Sequence, residues 1–243
     1  MHNLKTIVLS LSILFFTSSV YSAGSLTVYC GSMCSGKSEE TIRFASRQCV
    51  ANPKIIGVFK PALENKRLTN NDKDPLKFIT SRNGGSISCI AVANVAEMKR
   101  IINENNYSII AIDEAQFFDK QELIDFVHQM LTLNKKIIIF GLDLDFRGET
   151  FGAMGELLAL ADEVIKLKAI CACCGQDTYC ITQRIIDGIP AHYNDPIVMI
   201  GASQYEARCR NCHVIRRDAQ INTDITIETT VSLEKLSLEE VKN

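Results

Sequence analysis

The chain lacks several features that would mark a binding or membrane protein. Its 26 Lys and Arg nearly balance 28 Asp and Glu, leaving a net charge of −2 over 243 residues. The basic residues form no dense patch, so there is no general case for a nucleic-acid or membrane-surface partner. No internal repeat is present. The apolar run from Ile7 to Phe16 is too short to span a bilayer. What remains is a chain of 47% hydrophobic residues. That is long and apolar enough for one α/β domain with a sizeable core plus a smaller appendage.

The organising stretch is Leu26 to Ser38, L-T-V-Y-C-G-S-M-C-S-G-K-S. Leu26, Val28 and Cys30 alternate with polar residues, as in a short strand. Gly31, Ser32, Met33, Cys34, Ser35, Gly36, Lys37 and Ser38 then match the phosphate-loop pattern G-x-x-x-x-G-K-[ST] in full. Glu39 to Cys49 follows without Gly or Pro and reads as a helix. Glycines allow backbone N–H groups to turn inward around phosphate oxygens, and a helix N-terminus adds the positive end of its dipole. In such a loop Lys37 reaches the β- and γ-phosphates of ATP, and the Ser38 hydroxyl binds Mg²⁺.

The N-terminus conflicts with this. Lys5 precedes the apolar run, and Val20 and Ser22 stand where a signal peptidase would read small residues before a cut after Ser22. ATP, however, is an intracellular reagent. An early start codon, a vestigial extension and true export all remain open. The first two are favoured, with a cytoplasmic protein as the expectation and residues 1–23 set aside from the fold.

Further along, Lys54 to Phe59 reads as a buried strand, ended by Lys60-Pro61. Glu64 to Gly85 reads as a flexible loop, Ile87 to Val92 as a strand, and Val95 to Asn103 as a helix. Ser108 to Ile112 is an apolar strand ending in Asp113-Glu114. A carboxylate at the tip of a buried strand, in a chain with a phosphate loop, is the expected partner of Mg²⁺. Asp113 takes that role, and Glu114 is left to act as a general base. A helix over Lys120 to Leu133, a strand over Ile137 to Leu142, a helical stretch over Leu157 to Ala161 and a strand over Glu163 to Leu167 complete the pattern. Apolar strands alternating with helices predict a mostly parallel sheet covered on both faces. Ligands then bind beyond the carboxyl ends of the strands, where Gly31, Asp113 and Asp143 stand.

From Ala169 the texture changes. Six of the ten cysteines fall between Cys171 and Cys212. Cys171 and Cys174 form one C-x-x-C pair, Cys209 and Cys212 another, and two such pairs suit a closed, structural Cys₄ zinc site. Cys171 is preferred to Cys173 because it keeps the two-residue gap. His213 is a substitute ligand or a surface histidine. Between the pairs, Ile185 to Pro190 reads as a hairpin turn and Pro196 to Ile200 as a strand, in a loop tethered at both ends by the metal. The polar tail from Asp218 reads as disordered or weakly helical. The expected organisation is an extension over 1–23, an α/β domain over 24–168, a zinc module over 169–217 and a tail over 218–243.

Five segments in order then carry a resemblance: G-S-M-C-S-G-K-S at 31–38, D-E-A-Q-F-F at 113–118, G-L-D-L-D-F-R-G-E-T-F-G at 141–152, C-A-C-C-G at 171–175 and Y-E-A-R-C-R-N-C-H at 205–213. Together they resemble the type II thymidine kinases over about Gly24 to Arg217. The resemblance implies a P-loop, RecA-like α/β fold with a small zinc-binding lasso domain. It implies ATP-dependent phosphorylation of thymidine, and of deoxyuridine, to dTMP in deoxynucleotide salvage for DNA synthesis. It carries residues 31–38 and Asp113, Glu114, Ala115 and Gln116 over as the ATP and Mg²⁺ site, with Glu114 as the base that deprotonates the 5′-hydroxyl. Met33, Phe117, Leu142 and Phe146 match walls of the thymine pocket. Ile197, Val198, Met199, Ile200 and Gly201 match the segment whose backbone reads the base, and Tyr205 matches the lasso tyrosine. Cys171, Cys174, Cys209 and Cys212 match the zinc ligands. It also implies a homotetramer and feedback inhibition by dTTP, with no nucleic-acid or membrane partner.

Several positions depart from the family pattern. Residue 34 is Cys where an aromatic is usual, and Arg82 stands in a segment that commonly carries His. Lys60 to Arg67 has one extra residue before its Arg, which leaves open which of Glu64, Asn65 and Arg67 approaches the phosphates. The spacings after Cys174 and before Tyr205 also differ by one residue each. A P-loop NTPase acting as a regulatory module with a structural zinc site, and an inactive exported binding protein, are the rival expectations.

Overall fold

The computed structural model describes residues 23–62, 74, 76–199 and 204–218. The signal-like segment, Glu64, Asn65, Arg67, Ile200, Gly201 and the tail beyond Asp218 lie outside the described residues. Among the described residues, thirteen strands and four α-helices follow in chain order. β1 (Ser25–Cys30) leads into α1 (Lys37–Ala51) and β2 (Ile56–Pro61). Then come β3 (Phe78–Thr80), β4 (Ser86–Ser88), β5 (Ile90–Val92), α2 (Val95–Asn105) and β6 (Ile109–Ile112). A 3₁₀ turn at Ala115–Phe117 precedes α3 (Lys120–Thr132), β7 (Lys136–Gly141), α4 (Met154–Leu160) and β8 (Glu163–Lys166). The last part carries β9 (Ala169–Ile170), β10 (Asp177–Thr178), β11 (Cys180–Ile186), β12 (Ile189–Pro190) and β13 (Gln204–Cys209).

Six strands form one sheet in the order β5-β2-β6-β7-β1-β8, and every pairing in it is parallel. Side chains alternate across it, as the pleat requires. Ile137 and Ile139 of β7 pack with α2, α3 and α4 residues such as Met98, Phe126 and Leu157. Ile138 and Phe140 face the other way, onto Ala45 of α1 and Ile79 of β3. Apolar strands buried on both faces are what a parallel sheet between helices demands.

Asn94 caps α2 by accepting from the Glu97 N–H, and Asp119 caps α3 by accepting from the Glu122 N–H. α1 has no side-chain cap; it starts from Gly36 in the left-handed conformation (φ 87°). Its first N–H groups therefore remain directed at the phosphate loop.

Three expectations need correction. The loop read over Glu64 to Gly85 ends in structure: β3 pairs antiparallel with β4 around the turn at Ser81–Gly85. The single strand read over Ile87 to Val92 is two. The chain changes sheets at Cys89, whose N–H bonds the Lys77 carbonyl, so β4 serves the hairpin and β5 extends the parallel sheet along β2. Residues 196–199 of the strand read over Pro196 to Ile200 form no ladder. Side chains take up their carbonyls instead: Arg184 donates to Pro196 and Ile197, and Tyr205 to Met199.

From Ala169 the sheets are small and antiparallel. β9 pairs with β10, and β11 sits between β12 and β13. The expected turn within Ile185 to Pro190 is present between β11 and β12, with Asp187 and Gly188 both at positive φ.

Candidate active site

The central strands β6, β7 and β1 are neighbours in the sheet, and the segments after their carboxyl ends meet in one cleft of about 1070 Å³. Met33 to Glu39 lines its floor, and Glu114, Phe117, Leu142 and Phe146 its middle. Ile197, Val198, Met199 and Tyr205 close it from the side of β13. The topology thus brings together residues that stand far apart in the chain.

The floor has the build of an anion cradle. Gly31 lies at φ 151°, and a Cβ there would stand 2.8 Å from the Leu167 carbonyl and 2.9 Å from Ser35 Oγ. Lys37 is buried, and its Nζ donates to the carbonyls of Gly31 (3.0 Å) and Ser32 (2.7 Å). Burial pushes its ammonium below the usual lysine range, while Glu114, Asp113 and Asp143 oppose that shift. Ser35 Oγ is buried without a hydrogen-bond partner among the described residues, as suits a donor awaiting an acceptor. The Met33 N–H is held by Thr182 Oγ1 at 3.0 Å, which ties the loop to β11.

Asp113 and Glu114 part company as the sequence implies. The Asp113 N–H bonds the Phe59 carbonyl, and its side chain is buried below the cleft. Burial, then the adjacent Glu114 charge, pushes its carboxyl up to about 7 against the pull of Lys37. Glu114 adopts a left-handed conformation (φ 52°), costly for a residue with a Cβ, and lines the cleft. Gln116 Nε2 donates to its carboxylate at 2.6 Å. Ala115 and Gln116 are themselves buried behind the wall, and Asp143 pairs with Lys166 at 2.7 Å. Phe117 meets Phe151 edge to face at 5.4 Å, and Phe146 is stacked by the Arg184 guanidinium at 3.8 Å.

A family model described as thymidine kinase matches residues 24–213. The chain belongs to the thymidine kinase family. Its chemistry is therefore phosphorylation of thymidine, and the family implies use of Mg²⁺ and ATP. A hydroxyl at Ser38 and a carboxylate at Asp113 are the hard oxygen donors that Mg²⁺ takes.

The four cysteines also meet a chemical test for metal. The Sγ atoms of Cys171, Cys174, Cys209 and Cys212 lie within 4.8 Å of one another, with 3.8 Å between Cys174 and Cys209. Zinc bonded to four thiolates at about 2.3 Å sets sulfur–sulfur edges of about 3.8 Å. Backbone N–H groups of Cys209, Cys174 and Cys173 hold the Cys171 thiol down at about 6, while hydrogen bonds within the cluster and burial push the Cys174 and Cys212 thiols up. Cys173 is exposed and outside the cluster, and Cys180 donates to the Ala169 carbonyl. His213 is not one of the cluster residues, and it is not a free surface side chain either. It is half-buried with a ring nitrogen 2.9 Å from the Phe146 carbonyl, which links the turn after Cys209 to the pocket wall.

Some lining residues were not singled out from sequence. Thr182, Asp145 and Phe151 belong to the cleft. Asp145 is buried, pairs with Arg147 at 2.8 Å and accepts from the Arg147 and Glu149 N–H groups, which shapes the turn before Phe151. Arg184 offered a signal: it is the charged residue in the otherwise strand-like run Cys180 to Ile186.

Proposed function

We propose that the chain transfers the γ-phosphoryl group of ATP to the 5′-hydroxyl of thymidine, and of deoxyuridine, yielding dTMP for deoxynucleotide salvage. The observation that carries this is a single cleft lined together by the phosphate loop (Met33 to Glu39), by Glu114 and by the apolar side chains of Phe117, Leu142 and Phe146. Phosphoryl transfer requires in-line positioning and charge neutralisation more than covalent chemistry.

In this reading the backbone of residues 31–38 wraps the ATP phosphates, and Lys37 leaves its loop carbonyls to meet them. Mg²⁺, when bound at Ser38 and Asp113, neutralises developing phosphate charge. Phe117, Leu142 and Phe146 enclose the thymine ring, and the backbone around Ile197 to Met199 faces its edge. Glu114 accepts the proton of the 5′-hydroxyl as that oxygen attacks phosphorus. Zinc, held by Cys171, Cys174, Cys209 and Cys212, fixes the ends of the segment that carries Ile197 to Tyr205. Inhibition by dTTP suits the same cleft, since its thymine and triphosphate would span both ends at once. A cytoplasmic homotetramer follows from the family resemblance.

The test is ADP and dTMP formation by the purified full-length chain with Mg-ATP, with and without thymidine. Turnover should require thymidine, and Glu114→Gln should lower it by about 10²–10⁴-fold, the range for loss of a general base. ADP release indifferent to thymidine would instead favour a P-loop NTPase module.

A further inference from the structure

Behind the cleft wall, Gln116 makes two hydrogen bonds that join different parts of the site. Its Nε2 donates to Glu114 Oε2 at 2.6 Å, and its Oε1 accepts the Leu142 N–H at 3.0 Å. The residue is 3% exposed. The direction of the amide follows from its partners. A backbone N–H can only donate, so the oxygen of Gln116 must face Leu142, and the amino group is left for the carboxylate, which accepts.

The surroundings are built to admit this residue. A Cβ at Gly141 would come within 2.9 Å of Gln116 Oε1, and a Cβ at Gly152 would come within 2.4 Å of its backbone oxygen. Leu142 lines the cleft, and Glu114 enters it from a left-handed turn. Without a partner, a carboxylate on such a turn would sample several rotamers. With one oxygen held, the other is presented to the cleft in one orientation.

We propose that Gln116 is a positioning residue that orients Glu114 and sets its distance from the Leu142 wall, so that base and nucleoside pocket move as one unit. The proposal rests on Glu114 being the base. It separates the role of Gln116 from direct contact with ATP, because both polar ends of its side chain are engaged within the protein.

The experiment measures kcat and thymidine KM in full-length protein for Gln116→Glu and Gln116→Met, each alone and combined with Glu114→Gln. Gln116→Glu is isosteric and keeps the acceptor for Leu142 while removing the donor. It should lower kcat by about 10–100-fold, the scale of a misplaced catalytic group, with thymidine KM changed less than about 3-fold. Gln116→Met removes both bonds and should also raise thymidine KM. In the Glu114→Gln background each change should cost less than about 3-fold in kcat, since the group it positions is already gone. Equal losses in both backgrounds, or a kcat unmoved by Gln116→Glu in protein with wild-type melting behaviour, would overturn the proposal. Full activity of Glu114→Gln alone would instead overturn the base assignment, a distinct result.

Discussion

Gly84 and Gly152 share a left-handed backbone, at φ 85° and φ 55°, and differ in what surrounds them. Nothing lies within 4 Å of a Cβ built on Gly84, whereas the Gln116 carbonyl oxygen would stand 2.4 Å from one on Gly152. Gly84→Ala is therefore expected to cost only the left-handed strain, about 1–2 kcal/mol. Gly152→Ala must also displace backbone and should destabilise further, by about 3 kcal/mol or more in total. Thermal melting of both variants checks the order. Gly152→Ala should also lower kcat, because the displaced backbone belongs to Gln116, while Gly84→Ala should leave it within about 2-fold.

β11 is the element that ties the phosphate loop to the Phe146 wall and to the segment at Pro196 and Ile197. Thr182 holds the phosphate loop at Met33, and Arg184, two residues on, stacks on Phe146 and donates to the carbonyls of Pro196 and Ile197. Its guanidinium is fully buried, with Asp195 at 3.7 Å as its carboxylate neighbour. Both carbonyls are served by Nη1, while Nε and Nη2 have no hydrogen-bond partner among the described residues, and the planar face stacks on the ring as a lysine ammonium cannot. Arg184→Lys is expected to raise thymidine KM about 10-fold or more while leaving ATP KM within about 3-fold, since cation–π and charged hydrogen bonds are each worth roughly 1–3 kcal/mol. Steady-state kinetics with each substrate varied in turn checks this. A parallel rise in both KM values would mean that β11 acts on the whole cleft through Thr182 instead.

At the scale of the whole molecule, the cores are unequal. The parallel sheet is packed on both faces by long apolar side chains. The core that follows it in the chain consists of Ala169, Cys171, Cys180, Ala207 and Cys209, with Cys212 against it. Lys168, at the junction, places its ammonium over the Tyr179 ring and adds nothing to that small core. A core of this size is too small to hold a fold by burial alone, and a metal bound by the four thiols would supply the difference. Removing zinc with a chelator is therefore expected to melt residues 169–217 while the parallel sheet persists. Hydrogen exchange should show protection lost over β9 to β13 and kept over β1, β6 and β7. Thymidine-dependent turnover should fall with it, because Thr182, Tyr205 and the segment from Ile197 to Met199 all line the cleft from that side.

Much of this molecule is legible in the order of its residues. The phosphate loop, the Asp113-Glu114 pair, the buried strands and the two cysteine pairs are local patterns, and local sterics and chemistry determine them: a glycine where the backbone must turn, an apolar run where both faces are covered, thiols at a spacing that suits one metal. Other features depend on partners far along the chain. The division of residues 86–92 between two sheets, the carbonyls of Pro196 and Ile197 bound by Arg184, and Gln116 held between Glu114 and Leu142 were settled only by folding. Periodicity reports whether a side chain faces core or solvent, and it carries no information on which distant group will satisfy a buried amide or guanidinium. That choice belongs to the tertiary structure, because an unpaired polar group is costly only once the sheet and the cysteine-rich segment have excluded water from it.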